Sequence, residues 1–204
     1  MSGPGIVGFA GSTSIPSKTR SLVEKIVAKA ADRYNESSQV YDILDFAASL
    51  GAARKLDDLD VKARQALDHI LNAKALVIAT PVYKGSYPGL FKHLIDLLDP
   101  AALSAKPILL AATGGGEKHA LVIEHQLRPL FAFFEAQTLA TGVYVSDRDF
   151  ENGAVVNPAV NERIARAVTQ FEPYLQSRKG GETGGSVVSI KQARPVVEAA
   201  QAGR

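Results

Sequence analysis

The chain contains no cysteine, which removes disulfide frameworks, thiolate zinc sites, iron–sulfur ligation and a cysteine nucleophile together. Redox chemistry here therefore needs a borrowed cofactor. Long hydrophobic runs are also missing. Nowhere do about 18 consecutive apolar residues occur, and residues 1–10 carry no basic start followed by an apolar stretch. These features predict a soluble, cytoplasmic protein with no membrane partner. Blocks of one charge are absent too: 23 basic and 21 acidic residues are spread along the chain, leaving a formal charge of +2. That distribution argues against nucleic acid as a partner. Residues 11–19 lack the pattern G-x-x-x-x-G-K-[ST], because no glycine stands immediately before Lys18-Thr19, and they lack G-x-G-x-x-G. Neither a P-loop NTPase nor a dinucleotide-fingerprint fold is supported.

What is present is 46% hydrophobic content over 204 residues, enough for one substantial core. Short apolar runs alternate with longer segments of helical period, the signature of βαβ units around a parallel sheet. Strands are predicted at 6–10, 39–44, 75–80, 107–113 and 138–145. In the first helical segment Leu22, Val23, Ile26, Val27 and Ala30 recur at helical spacing and form one buried stripe. Further helices are predicted at 61–72, 87–98, 119–134 and 157–176. The expectation is an α/β fold of three layers, a doubly wound five-stranded parallel sheet. It resembles the flavodoxin-like order 2-1-3-4-5, although other doubly wound orders share the pattern. Residues 1–178 are expected to form this domain. From Lys179 onward Gly180, Gly181, Gly184 and Gly185 mark a shift to a Gly/Ser-rich tail, 179–204. Within that tail, 192–202 reads either as solvated disorder or as a helix on a partner subunit.

Ligands of open α/β sheets bind outside the carboxyl ends of the strands, so three loops carry the functional signal. After the first strand comes Gly11-Ser12-Thr13-Ser14-Ile15-Pro16-Ser17-Lys18-Thr19, rich in hydroxyls and leading into a helix. Such a segment is a phosphate site or simply a turn with an N-cap. After the third strand, Thr80-Pro81-Val82-Tyr83-Lys84-Gly85-Ser86-Tyr87-Pro88-Gly89 offers a rigid wall for a planar ring, or a stiff connection with incidental tyrosines. After the fourth, Thr113-Gly114-Gly115-Gly116 permits close backbone approach to a ligand, or only flexibility. Three such loops at one sheet edge favour a bound mononucleotide.

The segment Ala79-Thr80-Pro81-Val82-Tyr83-Lys84, with the loop from Gly11-Ser12 to Lys18-Thr19, the Thr113-Gly114-Gly115 turn and the stretch from His119 to Pro129, resembles the NAD(P)H-dependent FMN reductases. The likeness is to those that feed sulfonate monooxygenases, and it covers about residues 6–176. It implies that Ser12, Ser17, Lys18 and Thr19 hold the FMN phosphate. Pro81, Val82, Tyr83, Lys84, Gly85 and Ser86 would then surround the flavin ring together with Thr113, Gly114, Gly115 and Gly116. It implies FMN and NADH or NADPH as cofactors, with hydride passing from nicotinamide to flavin and no obligatory acid or base. It also implies homodimers or homotetramers, with the helices beginning near Tyr87 and His119 at subunit contacts, and a flavin-dependent monooxygenase receiving reduced FMN. Two rivals stand beside this expectation. One is an FMN-bound quinone, azo-dye or metal-oxyanion reductase. The other is a non-enzymatic electron carrier, which the slightly basic balance disfavours because such carriers are commonly acidic.

Pro129 lies inside a helical pattern and cannot donate to the carbonyl of His125, which predicts a kink or a π-type turn there. Relatives of the alkanesulfonate type carry a tyrosine where this chain has His125, so the resemblance moves toward the methanesulfonate type. His125 is either a modulator of flavin transfer at a subunit interface or a polar interface residue. No metal site is expected. His119 and His125 are separated by about 600° of helix rotation, which leaves their side chains roughly 120° apart. His69 and His93 are expected in surface or interface roles, and Lys92 with Asp96 as an i,i+4 pair. Arg20 could serve either the flavin phosphate or a nicotinamide 2′-phosphate.

Overall fold

The computed structural model describes residues 4–175. The tail expected at 179–204 lies outside these residues, whereas the helix expected at 157–176 ends within them at Thr169, because Pro173 has no N–H to give the Thr169 carbonyl. The first strand, β1 (Ile6–Ala10), leads through the hydroxyl-rich loop into α1 (Lys18–Tyr34), followed by β2 (Ser38–Asp42) and the single turn α2 (Ala47–Leu50). Then come α3 (Val61–Leu71), β3 (Ala75–Pro81), α4 (Gly89–Asp96) and β4 (Pro107–Gly114). A π-helical segment (Ile123–Leu127) runs into α5 (Arg128–Ala132), and two short strands follow, β5 (Gln137–Thr138) and β6 (Val143–Ser146). A small hairpin, β7 (Phe150–Glu151) and β8 (Ala154–Val155), precedes α6 (Pro158–Thr169). All strands of the main sheet are parallel in the order β2-β1-β3-β4-β5, with β6 also beside β4. This is the expected flavodoxin-like order.

Alternation along the strands produces the three layers. Val7 and Phe9 of β1 join Leu76 and Ile78 of β3 on one face, under Leu67 of α3, Phe91 and Leu94 of α4 and Phe131 of α5. Ile6, Ala10, Val77 and Ala79 point the other way, against Leu22, Val23, Ile26, Val27 and Ala30 of α1 and Ile164 of α6. The helical stripe read from the sequence is thus the buried face of α1. Its packing is tight enough that a Cβ at Gly8 would lie 2.3 Å from Val23 Cγ1.

Two further elements depart from the expectation. The fifth strand, expected at 138–145, is broken. Ile108 is level with Thr138 but Ala111 with Val143, so the edge strand bulges outward over residues 139–142. Arg128 donates to the carbonyls of Leu139 (3.0 Å) and Ala140 (3.4 Å), and Arg163 to that of Gly142 (2.6 Å), supplying partners the sheet ladder no longer provides. The helix expected at 119–134 is not continuous either: a 3₁₀ turn (Glu117–His119) precedes the π segment. The Arg128 N–H reaches back five residues to the Ile123 carbonyl. Pro129, next in the chain, offers no N–H at all. Replacing Pro129 by alanine restores a donor for the His125 carbonyl and is expected to draw this segment toward regular α-helix. Amide hydrogen exchange across 121–132 reads the change; protection unaltered from the parent protein would mean that Pro129 does not set the π register.

Candidate functional site

The carboxyl ends of β1, β3 and β4 and the N-terminus of α1 enclose a cleft of about 290 Å³. Ser12, Ser14, Pro16, Lys18 and Thr19 line it from the first loop. Pro81, Val82 and Tyr83 line it from the second, Thr113, Gly114 and Gly115 from the third, and Asp147 from beyond β6. The three loops singled out in the sequence therefore converge.

Each wall has a local cause. Ser17 is the N-cap of α1: its hydroxyl accepts from the Arg20 N–H at 3.1 Å. The N–H groups of Lys18 and Thr19 have no acceptor within the helix and, with the helix dipole, favour an anion at this end. Thr19 is buried, and its Oγ1 lies 2.7 Å from Thr113 Oγ1, tying the first loop to the third. Ser14 Oγ and the Tyr83 hydroxyl, 3.2 Å apart, tie the first loop to the second. Lys18 Nζ lies 2.8 Å from Asp147 Oδ1 and 5.6 Å from the centre of the Phe150 ring.

In the second loop Tyr83 and Ser86 exchange backbone hydrogen bonds of 2.8 and 3.1 Å. Lys84 (φ 52) and Gly85 (φ 86) form the tip between them, a tight turn that demands left-handed backbone at both central positions. Ser86 Oγ donates to Gln126 Oε1 at 3.1 Å, linking this loop to the π segment. In the third loop none of the glycines adopts a positive φ, so conformational freedom is not their reason. Gly114 is held small by Tyr144, whose Oη would be 2.5 Å from an added Cβ. Tyr144 donates to the Gly116 carbonyl at 2.5 Å. Burial, with Asp147 and Asp149 adding to it, raises this phenol above its ordinary range, so Tyr144 stays protonated and able to donate. A Cβ on Gly115 would come no nearer than 3.8 Å to anything, and one on Gly116 would meet nothing. Neither packing nor backbone geometry calls for glycine at these two positions.

Among the expected site residues, Ser12, Lys18, Thr19, Pro81, Val82, Tyr83, Thr113, Gly114 and Gly115 border the cleft. Ser17 stands behind it as the cap, Lys84, Gly85 and Ser86 form the adjoining turn, and Gly116 carries on from the third loop. His125 is exposed within the π segment and does not line the cleft. Arg20 is committed elsewhere, at 2.6 Å from Asp42 and 2.9 Å from Glu24. His69 bonds the Tyr41 hydroxyl and His93 the Ala53 carbonyl, both away from the cleft. Lys92 and Asp96 form the expected pair.

Asp147 was not legible as a site residue. It starts a 3₁₀ turn (Asp147–Asp149) directly after β6, where Ser146 donates to Asp149 through its N–H at 2.8 Å and its hydroxyl at 2.7 Å. Burial works to raise the Asp149 carboxyl, but these bonds and the Asn157 amide outweigh it and hold the group below the usual carboxylate range. The turn is thus a fixed one. Its signal in the sequence is positional only, an acidic residue at the carboxyl end of a fifth parallel strand.

Residues 4–151 match the family model described as NADPH-dependent FMN reductase. This chain belongs to that family. It is 44% identical to an FMN reductase (NADPH) of Pseudomonas aeruginosa over 85% of this chain and 93% of that protein. It is 43% identical to the NADH-dependent FMN reductase SfnF of Pseudomonas fluorescens, over 83% of this chain and 91% of the relative. Among solved structures, the apo form of the NADH:FMN oxidoreductase EMOB superimposes with a TM-score of 0.72 at 30% identity, covering 86% of this chain and 91% of that one. This is an oxidoreductase family whose reaction uses FMN and a nicotinamide donor. Among the described residues, no helix is long and apolar enough to cross a membrane.

Proposed function

We propose that this chain oxidises NADH or NADPH and reduces FMN held in the cleft between the three loops. The observation that carries the reading is the cleft itself: a helix N-terminus with one lysine at one end, and a proline- and glycine-bounded wall at the other. When bound, FMN supplies the ring whose N5 accepts hydride from the nicotinamide. The protein's own part is binding and orientation. The N–H groups at the start of α1, the hydroxyl of Ser12 and the charge of Lys18 suit the phosphate, while Ser17 caps the helix behind them. Thr19, its hydroxyl engaged with Thr113, contributes backbone. Pro81, Val82, Tyr83, Lys84, Gly85 and Ser86 form one wall for the ring and Thr113, Gly114, Gly115 and Gly116 the other. No general acid or base is required, because face-to-face stacking of two rings accounts for the transfer.

An apolar groove between α4 and α5, bordered by Ile95, Leu98, Leu130 and Phe133, supports self-association of these helices into a homodimer or homotetramer, with His125 near the contact. Phe133, which borders the groove, is 67% exposed and joins Leu130 and Phe134 in one contiguous apolar patch. The resemblance to sulfonate-linked reductases supports delivery of reduced FMN to a flavin-dependent monooxygenase, and dependence on reduced nicotinamides suits a cytoplasmic setting. The test is oxidation of NADH and of NADPH by the purified protein, with and without added FMN. Turnover that rises and saturates with added FMN is expected. Tight FMN binding with neither donor oxidised would mark an electron carrier instead.

A further inference from the structure

Among the described residues lining the cleft, Lys18 is the one cation and Asp147 the one carboxylate, and they are paired with each other at 2.8 Å. The carboxylate is not loosely placed. It leaves the end of β6, whose Ser146 is level with Gly114 of β4, and the Ser146–Asp149 bonds fix the turn that carries it. Its Oδ2 lies 3.8 Å from where a Gly115 Cβ would stand, so the charge sits between the helix N-terminus and the glycine turn.

A phosphate monoester carries about −1.5 to −2 charges near neutrality. In this cleft it meets a lysine whose charge is already balanced and a second anion at the same nitrogen. Arg20 supplies no relief, being held by Asp42 and Glu24. We propose that Asp147 is a built-in competitor for the FMN phosphate at Lys18, which weakens the site so that flavin exchanges as a substrate and is not retained as a fixed group. This rests on the reading that the FMN phosphate sits at the start of α1. Asp147 and Lys18 are 59% and 46% exposed, so solvent screens the competition and its size is modest.

The test compares Asp147→Asn and Lys18→Ala with the parent protein, titrating FMN and riboflavin separately at low and at high salt. Asp147→Asn keeps the shape of the side chain and removes its charge. Its FMN dissociation constant is expected to fall about fivefold at low salt, the scale of one exposed ion pair, and the gain to shrink at high salt. Riboflavin, which has no phosphate, should bind both forms alike. Lys18→Ala should weaken FMN and leave riboflavin unchanged. If Lys18→Ala weakens FMN while Asp147→Asn leaves it unchanged or weaker, the competitor role is overturned and Asp147 instead orients the lysine or stands idle. If Lys18→Ala changes nothing, the phosphate placement itself fails, and the proposal with it.

Discussion

Replacing Lys18 by alanine is expected to weaken FMN binding by about 10- to 100-fold, the span that corresponds to ~1.5–3 kcal/mol for a hydrogen bond to a charged group. Because the lysine is shared with Asp147, the effect should fall near the lower end. The loss should be specific in two ways. Riboflavin affinity should stay within about twofold, since only the phosphate end of the ligand is affected. Thermal stability should also change little, because an exposed pair such as Lys18–Asp147 contributes about 0–1 kcal/mol. Quenching of flavin fluorescence on titration with protein measures both affinities directly. A variant that binds FMN as tightly as the parent would move the phosphate away from α1. The remaining donors at that helix N-terminus, the N–H groups of Lys18 and Thr19, survive the substitution, so binding should be reduced and not abolished.

The loops that form this site were readable because their composition is unusual and the rule for parallel sheets says where to look. Ser12, Lys18, Tyr83 and Gly115 meet in one cleft although they come from three separate strand ends, and the strand order brings those ends together. The reasons behind individual residues were less visible. The three glycines suggested unusual backbone angles; in the fold Gly114 is instead kept small by Tyr144, from a neighbouring strand. That is a tertiary contact, and no local pattern announces it. Asp147 is hidden for a related reason: an acidic residue just past a strand end is ordinary in composition, and its place in the site comes from the pairing of Ser146 with Gly114, which is again tertiary. The π segment was legible from a single residue, because the missing N–H of Pro129 is a covalent fact and needs no tertiary context. Arg20 shows the opposite limit. It sits in the first turn of α1 beside the loop that follows β1, yet its guanidinium is held by Asp42 at the end of β2.

Replacing Phe91 by alanine is expected to cost ~3–5 kcal/mol of stability, a large share of the ~5–15 kcal/mol typical of folded domains. Phe91 is fully buried. Its ring stacks on Phe9 with centroids 5.9 Å apart and tilts against Tyr87 at 5.7 Å, so truncation leaves a cavity lined by rigid aromatic groups that collapse poorly. At about 2–4 °C per kcal/mol for a domain of this size, the melting temperature should fall by roughly 6–20 °C, which calorimetry or circular dichroism reads. The same ring explains Gly11, the first residue of the loop between β1 and α1. A Cβ there would lie 2.6 Å from Phe91 Cδ2, while the Gly11 N–H is fixed to the Ala79 carbonyl at 2.7 Å and cannot retreat without breaking that bond. Gly11→Ala should therefore destabilise the parent protein by ~1–3 kcal/mol through overpacking. In the Phe91→Ala background the added methyl enters the space the ring has left, so the same change should be close to neutral. That non-additivity is the decisive quantity. Additive costs in the double variant would mean that Gly11 is required for some reason other than the aromatic ring packed behind the loop that follows β1.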